Sequence, residues 1–338
     1  MKILVTGGLG FIGSHTVVEL QQKGYNVIIV DDCSNSSEKV LDGIFNITGI
    51  QPEFEKFDLR NRDKVKSFFK KHNDILGVIH FAASKAVGES VEKPLQYYEN
   101  NLGTLVYILQ ELEHKSEASF IFSSSCTVYG IADKLPVTEN SPVKPSESPY
   151  GNTKQIGEEI IKDTCNTNTK LNAIALRYFN PIGAHESLEI GELPLGVPQN
   201  LIPYITQTGM GMRKELSVFG NDYNTHDGTC IRDYIHVVDL AKAHLIALER
   251  LLDNKNKDKF EIFNIGTGTG STVLEVINAF EDVSEKKLPY KIVDRRIGDV
   301  PVCYADTTVA NKELGWEAKS DLKTAVKTAW QWEQKIRS

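Results

Sequence analysis

Tyr150 and Lys154 stand four residues apart where a helical pattern begins, so both project from one face. A buried tyrosine beside an ammonium is expected to lose its phenol proton more easily. Its pKa of about 10 moves toward neutrality, because the cation favours the phenolate. A phenolate there can take a proton from an alcohol. An apolar run ending in Ser123-Ser124-Ser125 lies about 25 residues upstream. A hydroxyl at that strand end can hydrogen-bond the reacting alcohol and pass its proton to Tyr150. The alternative is a surface Tyr and Lys near a capping serine, and the strand-end position favours chemistry.

A second group of residues points to a phosphate ligand. The run Ile3-Leu4-Val5 leads into Thr6-Gly7-Gly8-Leu9-Gly10-Phe11-Ile12-Gly13 and then into a helical pattern. Gly8-x-Gly10-x-x-Gly13 has dinucleotide spacing, and Gly7-x-x-Gly10-x-x-Gly13 holds as well. Such glycines permit a tight strand-to-helix turn and close approach of backbone to a pyrophosphate. The helix N-terminus then offers free N–H groups to the charge. Asp31 lies eighteen positions past Gly13, near the ~20 expected of the acid that binds a ribose. No Arg stands in Cys33-Ser34-Asn35-Ser36 to receive a 2′-phosphate, so NAD is preferred to NADP. A capping Asp at a loop start is the other reading of Asp31. Asp58, after the third strand, suits either an adenine contact or a cap for the helix beginning near Asn61.

These residues need a scaffold, and the first 180 positions supply its pattern. Short apolar runs at Ile3-Val5, Val27-Val30, Glu53-Phe57, Val78-Phe81, Phe120-Ser123 and Asn172-Leu176 read as strands. Helical patterns lie between them at Ile12-Lys23, Arg62-His72, Leu95-Glu113 and Tyr150-Cys165. This alternation predicts a Rossmann-type α/β fold, a doubly wound parallel sheet covered on both faces. Beyond Phe179 the texture changes. Pro181-Pro203 reads as irregular loop, followed by a helix near Asn200-Gly209, a strand at Leu216-Phe219 and a polar loop. The helix Val237-Leu252 and strand Ile262-Ile265 look like a return to the main sheet. Residues 1–179 and 235–265 are therefore assigned to a dinucleotide-binding domain. Residues 180–234 and 266–338 form a smaller mixed α/β lobe with its cleft over the carboxyl ends of the strands.

Composition narrows the classes. The 338 residues carry 38 Lys plus Arg against 45 Asp plus Glu, a net charge of −7. That balance opposes nucleic-acid binding through phosphate neutralisation. Apolar runs such as Val27-Val30 fall far short of the ~20 residues needed to span a bilayer, so no membrane partner is expected. Met1-Lys2 passes directly into a strand pattern without the longer apolar core of a secretory signal, which suggests a cytosolic enzyme. The five cysteines, Cys33, Cys126, Cys165, Cys230 and Cys303, show no Cys-x-x-Cys spacing, and no metal site is signalled.

Thr-Gly-Gly-x-Gly-Phe-Ile-Gly, Ser-Ser-Ser and Tyr-x-x-x-Lys together resemble the extended short-chain dehydrogenase/reductase family. Longer strings narrow the likeness: His80 to Ser90, Arg177 to His185, Phe219 to Tyr223, Asp227 to Thr229 and Arg232 to His236. They resemble the UDP-glucose 4-epimerase family, from residue 1 to about 335. The resemblance implies NAD as a resident cofactor, a UDP-sugar substrate and a homodimer. In it, Phe11 and Ile12 match backbone contacts to the phosphates. Asp31, Asn35 and Ser36 match contacts on the adenosine side, and Asp58 with Leu59 matches adenine contacts. Phe81, Ala82, Ala83, Lys85 and Asn100 match residues lining the cofactor, and Phe179 one near the nicotinamide. Ser125 matches the catalytic serine, Tyr150 the base and Lys154 its partner. Nucleotide-sugar contacts map onto Asn180, Asn200, Ser217, Val218, Phe219, Arg232, Arg296 and Asp299. The two arginines suit a diphosphate, which charge-assisted bonds can clamp.

Three further readings follow. Cys303 takes a place held by a bulky Tyr in members restricted to unacetylated sugars. A small residue there implies that N-acetylated sugars are accepted too. Leu95-Glu113 and Tyr150-Cys165 resemble the helices that build a dimer interface, and Leu102, Leu105, Leu109 and Leu112 form a partial apolar stripe. Burial against the chain's own sheet is the other reading of that stripe. The competing functions are a nucleotide-sugar dehydratase or decarboxylase, and a non-enzymatic NAD-binding protein. The first is opposed by Cys126-Thr127 where related dehydratases carry Asp-Glu, the second by an intact Ser125, Tyr150 and Lys154.

Overall fold

The computed structural model describes residues 2–115, 117–167, 170–296 and 299–338. Its centre is a sheet of seven parallel strands: β1 (Lys2–Thr6), β2 (Asn26–Asp31), β3 (Glu53–Lys56), β4 (Ile75–His80), β5 (Ala118–Ser125), β6 (Leu171–Tyr178) and, later in the chain, Phe260–Ile265. Their order is Phe260–Ile265, β6, β5, β4, β1, β2, β3. Successive residues point to opposite faces, and each face has its own core. Ile3, Val5, Ile29, Ile121 and Ile174 pack on one side. Leu4, Ile28, Val30, Phe120 and Ala173 pack on the other. Helices α1 (Phe11–Gln22) and α2 (Val40–Thr48) lie on the first face. Helices α3 (Arg62–Lys71), α5 (Pro94–Glu113, after the short α4, Val87–Glu92) and α6 (Pro149–Thr167) cover the second.

Strand order reverses between β1 and β4, where Thr6 pairs with Val30 on one side and His80 on the other. The loops after both strands leave at this point, the usual position of a ligand crevice in such sheets. The remaining elements are β7 (Asn180–Ile182), α7 (Leu201–Gly209), β8 (Leu216–Phe219), β9 (Ile231–Arg232), β10 (Tyr234–His236), α8 (Val237–Leu252), β11 (Phe260–Ile265), β12 (Ser271–Thr272), α9 (Val273–Ser284), β13 (Tyr290–Val293), β14 (Val302–Cys303) and α10 (Leu322–Arg337). Helix α8 joins the core shared with α1. Helices α7, α9 and α10 enclose a separate core with Leu216, Val218, Phe280 and Trp330.

Three local expectations change. The stretch expected to be irregular after Pro181 carries β7, which pairs in parallel with β10. Helix α2 is not among the expected helices, although Ile44 is buried and Val40, Leu41 and Ile47 pack against the first core. The leucine stripe on α5 belongs to the chain's own core: Leu105, Leu109 and Leu112 are buried with Phe120 and Ile161, leaving only Leu102 half-buried. Among the described residues, no helix is long and apolar enough to cross a membrane.

One polar grip holds α6 to the sheet. Glu158 accepts two bonds from the Arg177 guanidinium, at 2.9 and 2.5 Å, and one from Ser124 at 2.5 Å. Both side chains of the ion pair are over nine-tenths buried. Glu158→Gln leaves a buried cation without its counter-charge. It should cost about 3–5 kcal/mol, read as a lowered denaturant midpoint with an unchanged slope; a midpoint within error of wild type would contradict this.

Candidate functional site

Gly7 adopts φ of +66°, and a Cβ on it would stand 2.9 Å from the Ala82 nitrogen. A Cβ on Gly13 would lie 2.3 Å from the Gly7 carbonyl oxygen. Gly10 donates its N–H to that same oxygen at 3.0 Å. The spacing that matters is therefore Gly7, Gly10 and Gly13, while Gly8 packs on Ile29. The turn delivers α1 with Phe11 and Ile12 at its first positions, where N–H groups have no carbonyl partner within the helix. This backbone cradle, too narrow for side chains, fits a pyrophosphate.

Asp31 fixes the start of its loop, as its second reading has it. Its Oδ1 accepts from Cys33 N at 2.9 Å and Ser36 Oγ at 2.8 Å, fixing the loop after β2. Its Oδ2 accepts from Leu9 N at 3.1 Å, tying the glycine loop to that strand end. A carboxylate oxygen has a second lone pair, so Oδ2 keeps capacity for a ribose hydroxyl. Asn35 beside it is exposed. Asp58 does not cap α3. Asn61 does so, accepting from Lys64 N at 3.0 Å. Asp58 instead receives Arg60 Nε and Nη2 at 2.9 and 2.7 Å, and that guanidinium lowers its pKa. Leu59 is buried in the core behind it.

Thr6 organises the β4 side. Its Oγ1 meets His80 Nδ1 at 2.8 Å and accepts from Ala82 N at 3.3 Å. Phe81 follows, its ring 4.7 Å from that of His244. Beyond Ala83, Asn100 donates to Ser84 Oγ at 3.0 Å. Lys85 is exposed and pairs with Glu192 at 3.6 Å. Glu192 also accepts from Asn200 Nδ2 at 2.7 Å, joining a residue expected on the cofactor side to one expected on the substrate side. Sequence reading did not single out Glu192, because it lies in a loop without periodicity.

The reaction centre sits where α6 begins against the end of β5. Ser125 and Tyr150 are both at least nine-tenths buried, and the Ser125 side chain lies close enough to favour the ionised phenol. Lys154 donates to the Ser123 carbonyl at 2.7 Å, and its ammonium lies 5.8 Å from the Tyr150 ring centre. This corrects the expected ionisation. Burial raises the Tyr150 phenol well above its ordinary value, reinforced by Tyr178, while Ser125 acts weakly the other way. Lys154 is engaged by a backbone carbonyl and does not by itself make a phenolate. Burial also lowers Lys154 to about 8, with Glu158 opposing.

Among the residues expected to contact a substrate, Asn180 N–H bonds the Asp233 carbonyl at 2.9 Å. Arg232 and Asp299 approach to 3.7 Å, and Cys303 pairs beside Arg232 through β14 and β9. Arg296 lies over the Phe219 ring at 4.4 Å, on the strand that carries Ser217 and Val218. The two arginines therefore have separate partners. Phe179 is buried next to Tyr129 and Val137. Among the described residues, no cluster of three or more His, Cys, Asp or Glu could hold a metal.

A dinucleotide cradle at the switch point, a strand-end serine and a Tyr-Lys helix face define an extended short-chain dehydrogenase/reductase. Residues 4–329 match the GDP-mannose 4,6 dehydratase family. The chain is 49% identical to the UDP-glucose 4-epimerase of Bacillus subtilis, over 98% of this chain and 97% of that one. The epimerase from Stenotrophomonas maltophila, solved with NAD and formylated UDP-arabinopyranose, superposes with a TM-score of 0.95. It is 45% identical and covers 100% of this chain and 99% of its own. The Bifidobacterium longum epimerase, in complex with NAD+ and UDP, gives 0.94 at 44% identity with the same coverage. The chain belongs to the UDP-glucose 4-epimerase family.

The Lys154 environment makes a pH prediction for cofactor-free protein. Folded Lys154 titrates near 8 and the unfolded residue near 10.5. Between those values the unfolded chain binds the extra proton, so stability rises with pH. Compared with Lys154→Met, the wild type should gain about 3 kcal/mol across that window, measured by urea unfolding at stepped pH. A pH-independent difference between the two proteins would contradict the assignment.

Proposed function

We propose that this chain interconverts UDP-glucose and UDP-galactose by oxidation and re-reduction at C4 of the sugar. The observation carrying this reading is the set Ser125, Tyr150 and Lys154, brought together where α6 begins against the end of β5, in a chain of the epimerase family. NAD, which the Gly7–Gly13 turn and Asp31 would hold, would supply a hydride acceptor able to return the hydride and a positive charge favouring the phenolate that burial opposes. Tyr150 takes the 4-hydroxyl proton, with Ser125 bridging, and later returns it. Lys154 fixes the helix face and keeps a cation near the ring. Arg232, Arg296 and Asp299 hold the UDP portion, with Asn180, Asn200 and the Ser217–Phe219 strand around it. The hexose, tethered but loosely held, presents either face of its 4-keto form.

The remaining assignments belong to the same reading. The cofactor surface takes Phe11, Ile12, Asn35, Ser36, Asp58, Leu59, Phe81, Ala82, Ala83, Lys85, Asn100 and Phe179. Residues 1–179 and 235–265 act as the NAD-binding domain, and 180–234 with 266–338 as the nucleotide-sugar domain. The protein works in the cytoplasm as a homodimer. Half-buried Leu102 and Val106, one turn apart on α5, are apolar surface that the chain's own core leaves open to a second copy. Sedimentation showing only monomer at micromolar concentration would remove the dimer.

Purified protein should convert UDP-galactose to UDP-glucose without added NAD, and denaturation should release NAD. Protein that is cofactor-free and inactive when NAD is supplied would overturn the reading. Tyr150→Phe should lower turnover by about 10²–10⁴ while UDP still binds, since the arginines are untouched. Unchanged turnover would place the base elsewhere.

Cys303 sets the breadth of substrate. Its small side chain leaves space that a Tyr ring would fill, and a 2-acetamido group can occupy that space. The enzyme should therefore also interconvert UDP-GlcNAc and UDP-GalNAc. Cys303→Tyr should lose that activity selectively. Equal loss of both activities, or no N-acetyl activity in wild type, would remove Cys303 as the gate.

A further inference from the structure

The fold brings together two cysteines separated by most of the chain. Cys126 opens the 3-10 turn Cys126–Tyr129 directly after Ser125. Cys303 ends β14, where its register against Arg232 and the bond from Asp233 N to its carbonyl, 3.1 Å, fix its backbone. Both are free and half-buried. Both pack on one small cluster formed by Val128, Tyr129, Val137, Phe179 and Ala305. Each thiol lies close enough to shift the ionisation of the other. Neither thiol has a part in proton transfer at Tyr150.

We propose that Cys126 and Cys303 form an oxidisable dithiol in the wall of the sugar pocket, a modification site for peroxides whose closure to an intrachain disulfide stops turnover. Its effect on activity rests on the epimerase reading; the bond itself does not. The two thiols differ in a way that orders the steps. The Cys126 thiol, with Arg232 nearby, holds Cys303 below the usual thiol range, whereas Cys126 is raised. The thiolate is the nucleophile, so Cys303 Sγ attacks the peroxide. An S–O bond forms, the O–O bond breaks, and the departing hydroxide takes a proton to become water. Cys126 Sγ then attacks the Cys303 sulfenic sulfur. The S–S bond forms, the S–O bond breaks, and a second water leaves with the Cys126 proton. Two thiols are oxidised by two electrons and one hydrogen peroxide is reduced to two waters. A dithiol reductant reverses the bond.

Closure would lock the turn that follows Ser125 to the strand that lines the hexose. A misplacement of about 1 Å near reacting groups costs on the order of 10² in rate. Ser125 adjoins the locked turn, so turnover should fall about tenfold or more. A UDP-sugar seated in the pocket should slow the oxidation.

The test treats the NAD-loaded protein with a small excess of hydrogen peroxide and follows intact mass, peptide map and turnover. Expected are the loss of two hydrogens, a linked peptide pair containing Cys126 and Cys303, and inactivation reversed by dithiothreitol. Cys126→Ala should keep the untreated activity and become resistant to reversible inactivation. Three outcomes would overturn the proposal: no Cys126–Cys303 linkage, linkage involving Cys33, Cys165 or Cys230 instead, or a formed bond with turnover unchanged. If untreated protein has no epimerase activity, the earlier reading fails on its own, and the peptide map still decides whether the dithiol closes.

Discussion

One face of α6 decides the geometry of the site. Tyr150, Lys154 and Glu158 recur every four residues, so they line a single stripe. That stripe is laid along the serine run at the end of β5: Tyr150 on Ser125, Lys154 on the Ser123 carbonyl, Glu158 on Ser124 and Arg177. Each contact is buried, where an unmatched charge or donor is costly. The helix therefore has one register on the sheet. A slip of one residue would leave an ammonium and a carboxylate without partners. The reacting phenol inherits its position from this arrangement.

The rest of the machinery is hung from the reversal of strand order. Gly7 and Ala82 are in near contact across it, and Asp31 binds the glycine loop to the end of β2. A dinucleotide placed there lies over the carboxyl ends of β1, β2 and β4, with the α6 stripe alongside. The residues proposed to hold the nucleotide part of a sugar substrate lie on β8, β9 and the segment before β14. In the proposed reading, proton chemistry and substrate anchoring thus sit on different parts of the fold. This division suits a reaction in which the reacting ring must change the face it presents while its nucleotide stays bound. Glu192 bridges the two sides through Lys85 and Asn200.

Much of this could be read from the sequence. The strands of the main sheet are dense β-branched runs, and their positions follow from burial on two faces. The glycine set, Asp31, Tyr150 and Lys154 are local patterns with fixed spacing. What sequence did not reveal depends on contacts across the fold. Glu158 and Arg177 look like ordinary charges until β6 and α6 are placed together. Cys126 and Cys303 are unrelated thiols until β14 pairs with β9. The ionisation of Tyr150 was misjudged because proximity on a helix face was taken as proximity of charge, whereas the ammonium turns to a carbonyl. Strand β7 has three residues, so it leaves little periodic signal.

The central claim is that one hydrogen leaves C4 and comes back to C4 within the same active site, with only the proton handled by Tyr150. The direct measurement is turnover of UDP-galactose carrying deuterium at C4, in ordinary water, with the product read by NMR. The account predicts UDP-glucose that retains the deuterium at C4, because the hydride never meets solvent. Replacement of that deuterium by solvent hydrogen would contradict it and point to proton abstraction from carbon instead.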